Sequence, residues 1–282
     1  MDYILSTDQI SKQYDSFTLD NISVNIPRGT ILGLIGENGS GKTTLLSLIL
    51  GQIKYDSGVI RMFGKTNINN IQYKKDIGFV VDECCFHSLL NGIEINKIMK
   101  SIYEKWDEEL FFNLLTSLGI DKAKKIGDYS KGMKNKLMLS TALAHEAKFL
   151  VLDEITSGLD PVIRNEILYT LQNYVKKNNA TVLFSTHITS DIEKIADQVA
   201  FLHRGKLVFQ KNLSELNKQY SIARCDSDEW SKLNKNNVIK VINQSESHLI
   251  LFDKEISDKI KPSKSWFNLD DLMLLLIKGG NI

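Results

Sequence analysis

The chain has 282 residues, 43% of them apolar and 24% charged, ordinary globular values that exclude a collagen-like, disordered or coiled-coil chain. The 35 Lys and Arg against 34 Asp and Glu leave a net charge of +1, so there is no global positive field to hold nucleic acid or anionic lipid. Cys84, Cys85 and Cys225 form neither a disulfide framework nor a metal-ligand spacing, and they suit a reducing cytoplasm. Met1 to Lys12 mixes Asp, Ser, Gln and Lys into its apolar residues, so no export signal is expected. The apolar stretch Leu272 to Ile277 is far short of the roughly 20 residues a membrane helix needs, so any membrane crossing is expected of another chain.

In chain order, Tyr3 to Pro27 carries short apolar runs, with Ile22, Val24 and Ile26 in strict alternation, which predicts an antiparallel β patch. Thr30 to Ile35 reads as a strand buried on both faces, followed by a glycine-rich turn and a helical pattern over Leu45, Leu46, Leu48 and Ile49 that Gly51 stops. From Ile93 to Leu118 apolar residues recur at three and four, as in Ile95, Ile98, Met99 and Ile102, which predicts a mostly helical insert. A helix after Gly132 leads to the apolar run Phe149 to Leu152, and a helix from Val162 to Lys176 leads to Thr181 to Phe184. Strands alternating with helices imply a parallel sheet. Past Gly205 the pattern loosens, with strands expected at Val238 to Ile242 and Leu249 to Phe252 and a last amphipathic helix over Leu269 to Ile277, so residues 211–282 read as a small accessory domain. There is no internal repeat and no low-complexity tract.

Gly36, Glu37, Asn38, Gly39, Ser40, Gly41, Lys42 and Thr43 fit GxxxxGK[ST] at every fixed position, between a buried strand and a helix start. Such a loop turns consecutive N–H groups onto phosphate oxygens, the helix N-terminus adds its positive dipole end, Lys42 reaches the terminal phosphates and Thr43 ligates Mg²⁺. Thr44 completes the expected nucleotide-binding set. The run Leu150 to Leu152 ends in Asp153 and Glu154, which at the C-terminal end of a parallel strand can both face that loop. Asp153 is expected in the Mg²⁺ shell, and Glu154 as the residue that polarises water.

Tyr129-Ser130-Lys131-Gly132-Met133 shortly before that strand, and Ser157-Gly158-Leu159-Asp160-Pro161 just after it, resemble the corresponding segments of ABC ATPases, in the same order. The resemblance runs from about Tyr3 to Gln210. It implies an α/β P-loop NTPase fold with a RecA-like parallel sheet core, an antiparallel β subdomain and an α-helical subdomain at about 83–145, followed by a small C-terminal α+β extension. It also implies that Ser130 and Gly132 bind the γ-phosphate held by an opposite protomer, and that His187 is the switch histidine, which contacts the γ-phosphate and the neighbouring protomer's loop. Tyr14 is similar to the family's adenine-stacking residue, and Phe17 nearby leaves a plain strand-face aromatic as the alternative. Where the family often has a glutamine, this chain has Asp82, which can ligate Mg²⁺; Glu83, or ordinary solvated charge, is the alternative at that position. The signature also departs from the family, with Lys131 in place of a Gly and Met133 in place of a Gln.

The resemblance implies an ATPase powering an exporter, similar to those for antimicrobial peptides, antibiotics and toxins. ATP and Mg²⁺ would be its ligands. A second protomer, in a homodimer or a heterodimer, and a separate membrane-spanning permease would be its partners, at the cytoplasmic face of the membrane, with no nucleic acid. Residues around Phe86 to Ile98 are candidate permease contacts or ordinary core. The competing class is a soluble ABC ATPase that does not transport.

Overall fold

The alternating residues at the start of the chain do form an antiparallel patch. In the computed structural model, which describes residues 2–66, 71–81, 83–233, 235–254 and 265–280, strand β1 (Tyr3–Gln13) pairs antiparallel with β2 (Thr18–Ile22) through its second half and with β3 (Asn25–Pro27) through its first. Ile22, Val24 and Ile26 are all buried, as period-two patterning requires of a sheet with one wet face. After β4 (Ile31–Ile35) and helix α1 (Lys42–Ile49), β5 (Ser57–Met62) returns to β1 and completes this sheet.

Next come α2 (Ile71–Lys74), β6 (Ile77–Val80), α3 (Gly92–Ile102), α4 (Glu108–Ser117), α5 (Lys131–Ala144) and β7 (Phe149–Asp153). They are followed by α6 (Pro161–Asn178), β8 (Thr181–Thr186), α7 (Thr189–Ile195), β9 (Gln198–His203) and β10 (Lys206–Asn212). The six-stranded sheet runs β10-β9-β4-β8-β7-β6, with β4 parallel to β8 and β9, and β7 parallel to β6 and β8. All five residues of β4 are buried, which fits a continuous apolar run in the middle of a parallel sheet. Register pairs Ile35 with Thr186 and Asp153 with Ser185, so β4, β7 and β8 end together. The loops that leave them converge at that edge, where open α/β sheets carry their ligands.

The helical insert breaks once. Asn91 and Glu94 form a capping box at the start of α3, and Asp107 caps α4 by accepting from the Leu110 N–H, so the expected, mostly helical insert is built as two helices. Trp106 at the break donates from its indole to Asn96 at 2.7 Å. Ile95, Phe111, Leu115, Ile126, Tyr129 and Leu137 form the core of this segment.

The contacts divide the chain into two units, Met1–Ile188 with Gln198–Gln210, and Thr189–Asp197 with Lys211–Ile282. The second adds α8 (Leu213–Gln219), β11 (Tyr220–Asp226), α9 (Ser227–Lys232), β12 (Val238–Asn243), β13 (Ser247–Asp253), β14 (Ser265–Trp266) and α10 (Leu269–Lys278). Its antiparallel sheet has the order β12-β13-β11-β14, and Ala223, Cys225, Val241, Ile250 and Phe252 pack together on it. Asn268 caps α10, whose first N–H also donates to the Glu193 carboxylate of α7 at 2.5 Å.

Candidate functional site

Between β4 and α1 the chain makes a loop that a residue with a Cβ could not follow. Gly39 and Gly41 have φ of +78° and +105°, in the left-handed region that favours glycine. At Gly36 the constraint is space, because a Cβ there would lie 2.3 Å from the Leu202 carbonyl oxygen and 2.6 Å from Ser40 Oγ. Helix α1 begins at Lys42 with Gly41 as its N-cap and no side chain capping it, so its first N–H groups and positive dipole end are left for a ligand.

Lys42 is only 6% exposed. Its ammonium donates to the carbonyls of Gly36 at 2.8 Å and Glu37 at 3.3 Å, and lies 3.7 Å from Glu154 Oε1. Thr43 donates from its hydroxyl to Asp153 Oδ2 at 3.0 Å, while the buried Asp153 Oδ1 has no hydrogen-bond partner among the described residues. A hydroxyl and a carboxylate with a spare buried oxygen are the hard donors that Mg²⁺ takes, so the residues present fit that ion.

Glu154 follows β7 in a left-handed conformation, φ +52°. Its Oε2 accepts from His187 Nδ1 at 2.7 Å, which places the imidazole proton on that nitrogen, and from the His187 N–H at 3.4 Å. These groups surround an open cleft of about 730 Å³, lined also by Phe17, residues 38–44 and Ser157. Its floor of free N–H groups, one buried cation, a hydroxyl–carboxylate pair and a carboxylate–imidazole pair is equipped to bind a polyphosphate and place water against it.

The structure therefore gathers Asn38, Gly39, Ser40, Gly41, Lys42, Thr43, Thr44, Asp153, Glu154 and His187 at one edge of the sheet. Gly36 sits beneath the loop, and the Glu37 side chain turns aside, 3.7 Å from His203. Tyr14 lies at the β1–β2 turn, 43% exposed and outside the cleft lining, with Lys12 over its ring at 5.7 Å. Phe17, whose ring edge packs against Gly41, is the aromatic that lines the cleft. Ser130 caps α5 by accepting from the Met133 N–H at 3.2 Å, and Gly132 packs on Ile163; neither lines this cleft. Asp82 lies outside the described residues, and Glu83 is exposed. Sequence reading missed the approach of Phe17 to Gly41, because nothing in either local pattern signals a contact between a hairpin and the phosphate loop.

Residues 19–157 match the family model described as ABC transporter. The chain is 36% identical over 225 residues to the bacitracin transport ATP-binding protein BcrA of Enterococcus faecalis, a match covering 78% of this chain and 72% of that one. It is 30% identical to the bacitracin transport ATP-binding protein BcrA of Bacillus licheniformis across the full length of both. Among solved structures, cbiO1 of Clostridium perfringens, part of the ABC transporter complex cbiONQ, superposes with a TM-score of 0.67 at 28% identity, covering 77% of this chain and 91% of that one. A phosphate loop, its facing acids and full-length relatedness of this kind identify the chain as a member of the ABC transporter ATP-binding proteins, an ATPase subunit that binds and hydrolyses ATP.

Proposed function

We propose that this ATPase powers an exporter of peptides, antibiotics or toxins through a separate membrane-spanning permease, working at the cytoplasmic face of the cell membrane. The convergence of Lys42, Thr43, Asp153, Glu154 and His187 on one cleft carries the enzymatic half of this reading. The cargo half rests on relatives named for bacitracin transport. No helix among the described residues is long and apolar enough to cross a membrane, in keeping with a peripheral subunit whose partner supplies the channel.

In the proposed site, Gly36 to Thr44 wrap the phosphates, with backbone N–H groups and the α1 terminus facing their oxygens. Lys42 leaves the Gly36 and Glu37 carbonyls for the terminal phosphates, since an ammonium gains more from a phosphate oxyanion than from a carbonyl. Thr43 and Asp153 would hold Mg²⁺, with Asp82 as a further ligand, and the ion would supply positive charge to offset that of the phosphates. Glu154 orients the attacking water, and His187 steadies the carboxylate now and the γ-phosphate when nucleotide is present. The base lies against the β1–β2 hairpin, on Tyr14 or on Phe17. Ser130 and Gly132, which point at no part of their own cleft, serve the nucleotide of a second protomer, so two chains complete each site.

Residues 1–210 form the ATPase domain of this proposal and residues 211–282 an accessory domain. The helical subdomain at about 83–145 receives the permease on the surface around Phe86 to Ile98, where Leu89 is 64% exposed. Trapping the ATP-bound form with Glu154→Gln, solubilising membranes gently and purifying through a tag on this chain tests the partnership. Co-purification of a stoichiometric multi-span protein is expected. Recovery of soluble partners alone would replace transport with a soluble ATPase function.

A further inference from the structure

Asn135 is 1% exposed, and a buried amide carries donors and an acceptor that need partners. Its nitrogen donates to the Ile155 carbonyl at 2.6 Å, while its Oδ1 has no hydrogen-bond partner among the described residues. The flipped amide would set oxygen against oxygen at Ile155, so the donor's place follows from the acceptor it faces. The side chain thus makes one polar contact at the expense of a buried, unpaired oxygen. An apolar residue of the same size would lose that unpaired oxygen but leave the buried Ile155 carbonyl without its donor.

The contact falls on the turn that aims Glu154. That residue's left-handed backbone is held on one side by its N–H to the Ser185 carbonyl, 2.9 Å, and on the other by its carbonyl to the Ser157 N–H, 3.0 Å. Ile155, the next residue, is gripped by Asn135. With the backbone fixed, the carboxylate reaches both Lys42, at 3.7 Å, and His187, at 2.7 Å. Asn135 stands about one turn along α5 from Gly132, so a single rigid helix joins the end bearing Ser130 to the Glu154 turn.

We infer that Asn135 is a positioning residue for Glu154, holding the carboxylate on its line to the cleft and passing displacements of α5 to it. This rests on Glu154 orienting the attacking water. Asn135→Leu removes the unpaired oxygen but leaves the buried Ile155 carbonyl without its donor, so a merely structural role predicts lower thermal stability with the turnover of the folded protein unchanged. The expected result is different: ATP affinity within about twofold of the parent, but kcat lower by at least about tenfold, the scale on which small misplacements act. Asn135→Gln and Asn135→Met, equal in length, form a second pair that covers a failure of the Leu variant to fold. The Gln variant, which keeps a donor, should turn over at least about fivefold faster than the Met variant. Glu154→Gln runs in parallel. If it abolishes turnover while Asn135→Leu matches the parent, or while the Gln and Met variants are equal, the positioning role is overturned and the role of Glu154 stands. If Glu154→Gln itself turns over normally, the reading of Glu154 falls first and this one with it.

Discussion

Asp153 and Thr43 share one hydrogen bond, and one carboxylate oxygen beside it is left without a partner among the described residues. Burying an unpaired carboxylate oxygen is costly unless a cation meets it. Asp153→Asn keeps the shape and removes the charge, so Mg²⁺ dependence should shift to higher concentration by roughly tenfold or more. A titration of phosphate release against Mg²⁺ at fixed ATP reads this directly. Lys42→Ala should lower turnover by about 10²–10³, the loss expected when one preorganised phosphate partner is removed. Most of these residues are legible in the sequence, because a phosphate loop is contiguous along the chain and its backbone does the work. Phe17 and Asn135 are not, since each acts through a tertiary contact, one with Gly41 and the other with Ile155.

Elements place these residues, and their tight points should be intolerant. At Gly36 an added Cβ meets a backbone carbonyl, which cannot swing aside as a side chain could. Gly36→Ala should therefore destabilise the protein by about 1–3 kcal/mol, read as a lower urea midpoint. The buried His145 at the end of α5 gives a pH signature. Burial holds its imidazole below the ordinary value of 6.5, although the Thr141 and Ile77 carbonyls each lie 3.2 Å from a ring nitrogen. The unfolded chain then binds the proton more readily than the folded one, so this contribution to stability is full above about pH 6.5 and lost as pH falls below it. Urea midpoints measured at about pH 7.5 and 5.5 should differ less in His145→Gln than in the parent. The periodic helices α4 and α6 and the uniform strands β4, β7 and β8 are foreseeable from pattern. The strands β5, β10 and β11 are not, being short or mixed in polarity and specified by the neighbours they pair with.

At the scale of the molecule, each of the two units draws on separated parts of the chain. Helix α7 is continuous in sequence with the phosphate-site half, yet it packs with α10, and Glu193 takes the Leu269 N–H. Cutting the chain after Gln210 would strand α7, with the apolar Ile192 and Ile195 that are buried in the full chain. The truncated protein should be aggregation-prone beside the intact one in size-exclusion chromatography. No local pattern announces this interleaving, which is why a boundary at residue 210 is the natural reading of the sequence alone. The central claim is that a single cleft in the first unit hydrolyses ATP with Glu154 orienting the water. Steady-state phosphate release at millimolar Mg²⁺-ATP, run beside ATP binding for the parent and Glu154→Gln, tests it most directly. The account predicts sustained release by the parent, loss of about 10²-fold or more in the variant, and ATP binding retained in both. Release that persists in Glu154→Gln, or none above background in the parent, would contradict it.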